Sequence, residues 1–217
     1  MRVRNIRGIE EEIEKAGGSQ FIINPLEKKG KWKKLFGNDN PIFIEIGCGK
    51  GNFIKTLADR NKEINYIAIE KVAEILYKAI LKIEGEDNLK IILADVKQLS
   101  DIFEENEIDG IYLNFSDPWP KNRHHKRRLT SNIFLIQYEK VLKRDGCIFL
   151  KTDNPILFEY SLNTLAAGWQ LRNISLDYHP SEGIMDAPTE YEEKFRKKGN
   201  PIYRLEAVNK KTGVCNG

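Results

Sequence analysis

The chain has 217 residues, 41% of them hydrophobic and 31% charged, and its 35 Lys and Arg against 32 Asp and Glu leave a net charge of +3. This balance predicts one soluble globular domain with a sizeable core and excludes a disordered chain. No apolar run approaches the roughly 18 residues of a membrane span, and no apolar segment follows the charged N-terminus as in a secretory signal, so the expected location is the cytoplasm.

Residues 1–40 read as a basic extension, with Lys28, Lys29, Lys31, Lys33 and Lys34 in a stretch of no clear period. Trp32, among those lysines, is expected to pack on the domain. A single domain is expected over 41–210, followed by a tail at 211–217. Ile42 to Ile46 is a short apolar run before glycines, hence a buried strand. A helix over Asn52 to Arg60 and a strand over Tyr66 to Ile69 follow. Val72, Ile75, Leu76, Ala79, Ile80 and Ile83 repeat as one face of a helix, which Gly85 ends. Leu89 to Leu93, Gly110 to Asn114 and Cys147 to Lys151 are the next three strands. A helix near Asn132 to Leu142, with Ser131 as its N-cap, separates the last two. Beyond residue 153 come a helix (Ile156 to Ala167), a strand (Trp169 to Ser175), a short helix and a final strand (Ile202 to Val208).

This alternation predicts a Rossmann-like α/β fold: a mostly parallel seven-stranded sheet flanked by helices, with an antiparallel pair at one edge. Ligands in such sheets sit beyond the carboxyl ends of the strands, near the point where strand order reverses. The turn Gly47-Cys48-Gly49-Lys50-Gly51 lies at that place. Asn52 excludes GxGxxG, and no GK[ST] follows, so neither a dinucleotide fingerprint nor a phosphate-binding P-loop is present. Gly47 and Gly49 would let the backbone approach a ligand without a Cβ in the way. Glu70, after the second strand, suits ribose hydroxyls, and Asp95, after the third, suits an adenine edge. With Glu45 and Asp117 these acids favour a ligand that carries a sulfonium and an ammonium, which is S-adenosylmethionine.

Asn114 to Leu129, NFSDPWPKNRHHKRRL, is the most specific stretch. Pro118 and Pro120 stiffen a turn that can hold Asp117 and Trp119 over a planar substrate. It is similar to the Asp-Pro-Pro-aromatic loop of enzymes that methylate base amino groups, but the order Asp-Pro-Trp-Pro differs and argues against simple amino methylation. Lys121, Arg123, Lys126, Arg127 and Arg128 place five fixed charges in eight residues, with His124 and His125 between them. Taken alone, such a run is a solvated face. Directly after a candidate catalytic acid it suits a phosphate backbone. The two histidines have no third ligand at metal spacing, so no metal is expected. Cys48, Cys147 and Cys215 form no CxxC pair, which argues against a disulfide framework, a zinc site or an iron–sulfur cluster. No Pro-Cys nucleophile precedes a candidate site, against covalent cytosine chemistry. Thr189 to Glu192 reads as a capping box opening a helix to Lys198.

Taken in order, IEIGCGKG, IAIEK, NFSDPWPKNRHHKRRL, KTDN and TEYEEKF resemble the bacterial tRNA (guanine-N7-)-methyltransferases over roughly residues 20 to 208. The DPWPK-x-RH-x-KRR segment is the most specific part. The resemblance implies a class I methyltransferase fold. It implies transfer of a methyl group from S-adenosylmethionine to N7 of a guanine in the tRNA variable loop, position 46 by that resemblance. It implies cofactor contacts at Glu45, Glu70, Asp95 and Asp117. It also implies tRNA or guanine contacts at Lys121, Asp153, Thr189, Glu190, Tyr191 and Glu192, and RNA contacts at Arg123, His124, His125, Lys126, Arg127 and Arg128. Guanine N7 has a free lone pair and no proton, so it needs no strong base. Asp117 would then be the catalytic residue by stabilising the cation that forms on the ring. Lys194, Arg196, Lys197, Lys198 and the N-terminal lysines either extend the RNA surface or are solvated. Two other readings stand beside this one: a methyltransferase for a small molecule or exocyclic amine, and a non-catalytic RNA-binding module of the same fold. The choice between monomer and homodimer is open.

Overall fold

The computed structural model describes residues 8–83, 85–179 and 186–210. The expected tail 211–217, with Cys215, lies outside the described residues. Seven strands form one sheet: β1 (Ile42–Ile46), β2 (Asn65–Glu70), β3 (Leu89–Leu93), β4 (Ile108–Asn114), β5 (Leu142–Thr152), β6 (Trp169–Ser175) and β7 (Tyr203–Asn209). Their order is β3-β2-β1-β4-β5-β7-β6. β1 to β5 pair in parallel, while β7 runs antiparallel to both β5 and β6. The reversed strand therefore lies one place in from the edge, with β6 outside it.

Both faces of the parallel strands are buried, which is why β1 is apolar at nearly every position instead of alternating. One face packs Ile42, Ile44 and Ile46 against α2 (Trp32–Phe36), α5 (Leu99–Ile102), α6 (Asn132–Val141) and α7 (Pro155–Leu165). The other packs Phe43, Tyr66 and Tyr112 against α1 (Ile9–Gly17), α3 (Asn52–Arg60) and α4 (Ala73–Ile80). α4 stops at Ile80 because its last turn tightens, and Gly85 (φ 78) closes the segment five residues later. α8 (Glu190–Arg196) precedes β7.

Two details go beyond the sequence reading. Residues 8–40 of the expected basic extension lie against the sheet domain. Ile9, Ile13, Ile22 and Trp32 are buried core, and Ile22 N–H donates to Ile91 O at 3.0 Å beside β3. Trp32 packs as expected: its ring lies 5.3 Å from Phe103 and its Nε1–H donates to Ile102 O at 3.1 Å. Ser131 occupies the N-cap of α6, but its hydroxyl does not cap the helix. It donates to Lys126 O at 3.1 Å, so the preceding loop has taken the group the cap would have used.

Candidate active site

The chain leaves β1 for β2 on one side, while β4 lies on the other, so a crevice opens at the carboxyl ends of β1 and β4. Strand alternation fills it in two layers. Phe43, Tyr112 and Phe149 form an aromatic layer with ring centroids 5.0 to 6.2 Å apart. Two residues further along the same three strands stand Glu45, Asn114 and Lys151. Asn114 and Lys151 are paired in register, and Asn114 Nδ2 donates to Glu45 Oε1 at 3.0 Å.

Gly47 (φ 74) and Gly49 (φ 57) adopt left-handed backbone that favours glycine, and a Cβ on either would meet no atom within 4 Å. Their open side faces the crevice. Gly51 differs: a Cβ there would meet Ile83 Cδ1 at 2.8 Å, so this glycine serves packing on the α4 segment. Gly47 and Cys48 N–H donate to Ile69 O at 2.8 and 3.0 Å, which ties the turn to β2. Glu70 completes the tie. Its Oε2 accepts from Gly49 N–H at 3.2 Å, and its Oε1 accepts from Lys71 and Val72 N–H at 2.8 and 3.0 Å at the start of α4. Asp95 Oδ1 accepts from Lys97 N–H at 2.9 Å and fixes the turn after β3. The Cys48 thiol is buried, and burial with Glu45 and Glu70 nearby pushes its pKa well up, which suits a packing role and not a nucleophile.

Glu45 is 3% exposed, and burial pushes its carboxyl up to about 8. The Asn114 hydrogen bond and the Lys151 charge offset this only in part. Glu45 Oε2 and Asn114 Oδ1 are buried acceptors without a hydrogen-bond partner. Such atoms are costly unless a donor reaches them. The α-ammonium of S-adenosylmethionine is a cationic donor of the right kind, and the open glycine turn and Glu70 lie beside it. The residues present therefore fit that cofactor.

The loop after β4 is held from behind. Phe115 (φ 47) and Trp119 (φ 42) adopt left-handed backbone, which costs non-glycine residues about 1 kcal/mol or more each. Arg128 offsets this. It is 4% exposed; its Nε donates to Pro118 O at 2.9 Å, its Nη2 to Trp119 O at 3.3 Å, and its guanidinium lies 4.4 Å over the Tyr160 ring. The expected RNA contact by Arg128 does not suit this place: the side chain is buried, with Nε and Nη2 turned to the loop carbonyls. Asp117 is exposed on that loop. Lys121, Arg123, His125, Lys126 and Arg127 are exposed beyond it, with Arg127 4.8 Å over the Trp119 ring and His124 edge-on to that ring at 5.7 Å.

Asp153 is half-buried just past β5. Thr189 accepts from Glu192 N–H at 2.9 Å through its hydroxyl, the cap the spacing predicts. Tyr191 is 60% exposed and stacks on Phe115 at 6.2 Å and Phe195 at 6.0 Å. Glu190 opens α8. Glu192 is fully buried, so its side chain is no surface contact. It accepts from Lys151 Nζ at 2.9 Å and from Arg196 Nη2 at 2.9 Å. Arg196 is half-buried, and it also reaches Tyr178 O and His179 Nδ1.

Lys151, Phe115 and the structural role of Arg128 were missed in the sequence. A signal for Lys151 existed: in Cys147-Ile148-Phe149-Leu150-Lys151 it shares the phase of Phe149, and a lysine in a buried phase needs carboxylates. The spacing does not show which carboxylates, because Asp186 and Glu192 come from a different part of the chain.

Residues 39–205 match a family model described as a putative methyltransferase. The chain is 51% identical over 215 residues to the tRNA (guanine-N(7)-)-methyltransferase of Lachnoclostridium phytofermentans, covering 97% of this chain and 100% of that protein. It is 51% identical over 211 residues to the protein of the same description from Brevibacillus brevis, covering 95% and 98%. Among solved structures it resembles the 16S rRNA methyltransferase KamB (TM-score 0.63, 14% identity, 83% and 93% covered). It also resembles a 16S rRNA (adenine(1408)-N(1))-methyltransferase variant with its cosubstrate from Catenulisporales acidiphilia (TM-score 0.61, 13% identity, 88% and 94% covered). At such identity these two structures establish the fold alone. With crevice, glycine turn and loop in place, the sequence relatives decide the family: the chain belongs to the tRNA (guanine-N(7)-)-methyltransferases.

Proposed function

We propose that this protein transfers the methyl group of S-adenosylmethionine to N7 of a guanine in tRNA, at position 46 of the variable loop, forming 7-methylguanosine. When bound, the cofactor supplies a methyl group activated by its sulfonium. Glu45, Asn114, Glu70, Asp95 and the open backbone of Gly47 and Gly49 would hold it. The single observation that carries the reading is the continuity of the crevice. Asn114, which touches Glu45 in the cofactor crevice, begins the stretch that presents Asp117 and then the exposed cations.

Guanine N7 attacks through its own lone pair, so the protein has no proton to remove. Its work is orientation and charge. Asp117 faces the ring as it becomes cationic. Asp153 accepts from the guanine N1–H or amino group. Lys121, Arg123, His124, His125, Lys126 and Arg127 contact the RNA backbone, and Thr189 and Tyr191 contact the substrate from α8. The test is incubation with unmodified tRNA and labelled cofactor, followed by chemical cleavage at 7-methylguanine. Label with cleavage in the variable loop is expected. Label without cleavage refutes N7, and cleavage elsewhere refutes the position.

A further inference from the structure

Lys151 closes β5 and is 3% exposed. All three donor positions of its ammonium are used: Asp186 Oδ1 at 2.7 Å, Ala187 O at 2.9 Å and Glu192 Oε2 at 2.9 Å. Its Nζ also lies 5.0 Å over the ring of Phe53 in α3. These partners belong to the segment that carries Thr189 and Tyr191. The segment joins the sheet here and through the ring of Phe115. Phe115 N–H in turn donates to Lys151 O at 2.8 Å. One residue thus holds the start of the β4 loop with its backbone and the start of α8 with its side chain.

We propose that Lys151 is a positioning residue of the methyl transfer, setting the Thr189–Tyr191 segment against the loop of Asp117 so that the tRNA guanine is held between them. The inference rests on the reading above that the substrate is tRNA guanine. Glu192 acts in the same way, from the interior, and not by touching RNA. Removing one member of a buried charged cluster leaves the others uncompensated, so stability and positioning must be separated. Alternation along β5 also places Lys151 beside Asn114 and Glu45 in the polar layer. A purely structural loss would therefore weaken cofactor and tRNA together.

The experiment is steady-state kinetics of Lys151→Met with wild-type as reference, together with cofactor binding by calorimetry. The expected result is a KM for tRNA raised about tenfold, a kcat lowered by less than that, and a cofactor Kd raised by clearly less than the KM, since Glu45 loses one nearby cation. A double variant, Lys151→Met with Asp186→Asn, removes one charge of each sign, keeps the Glu192–Arg196 pair and gives the same readout should the single variant fail to fold. Unchanged KM for tRNA in either folded variant overturns the proposal, as does parallel loss of cofactor and tRNA affinity. Absence of N7 transfer by the wild-type protein overturns the functional reading itself, and the proposal with it.

Discussion

At the scale of single residues the carboxylates of the crevice differ by environment. Glu45 is buried with one oxygen unsatisfied, and its pKa lies at about 8 in the folded state against an ordinary 4.5. Its folded form binds the proton more tightly than its unfolded form. Stability is therefore fully present below about pH 4.5 and is lost as pH rises toward 8. At pH 7 the loss amounts to about 3 kcal/mol. Glu45→Gln removes it, so denaturant unfolding without cofactor should show a stability that falls from pH 5 to 8 in the wild type and stays nearly flat in the variant. Binding of a cationic cofactor drives the same proton off, and its affinity should rise with pH over the same window. Asp117, by contrast, is exposed, and its proposed role is to meet the developing charge of the substrate. Asp117→Asn should lower single-turnover transfer by about a hundredfold at saturating cofactor and tRNA, with little change in stability. These acids were legible because each lies at or just beyond the carboxyl end of a strand. Arg128 was read as surface, since a basic residue in a basic run reads so until burial is known, and Lys151 passed as the end of a strand because its carboxylates are distant in sequence.

The elements show a similar division. β1, α3 and β3 match the sequence reading at both ends, because buried parallel strands and glycine turns leave strong local marks, and β6 matches too, after Gly168. The first forty residues leave none. α1 has only Ile9 and Ile13 as a buried apolar pair among four glutamates, and it packs on α4, about sixty residues later in the chain. Period alone cannot find a partner so distant. Trp32→Ala tests the outcome. It should cost about 3–5 kcal/mol in denaturant unfolding, whereas an exposed basic extension would tolerate the change. The cationic loop divides too. Arg123→Ala and Lys126→Ala should each weaken tRNA binding and lower the salt slope by roughly 0.7 to 1 per charge, with stability kept. Arg128→Ala should instead destabilise the protein by about 2 kcal/mol and lower transfer through the misplaced loop. Thermal melts and filter binding across salt concentrations separate the two behaviours.

For the molecule as a whole, the sheet makes the two halves of the chain do different work. On the proposed function, β1 to β3 and the glycine turn serve the cofactor, while the loop after β4, with β5 and α8, serves the substrate, the two meeting at Asn114 and Lys151. A net charge of +3 conceals this arrangement, since the exposed cations beyond Asp117 are concentrated in one loop while acids occupy the crevice. Nucleic acid is therefore met by a local field and not by the overall charge.

The place of β7 between β5 and β6 has a consequence for how the chain is made. Synthesis delivers β6 before β7, which is its one sheet neighbour among the described residues. Until β7 follows, β5 offers an open edge and β6 waits unpaired, with Ile174 half-exposed even in the finished fold. One strand thus closes two edges at once, and its arrival fixes β5, and with it Lys151, in register.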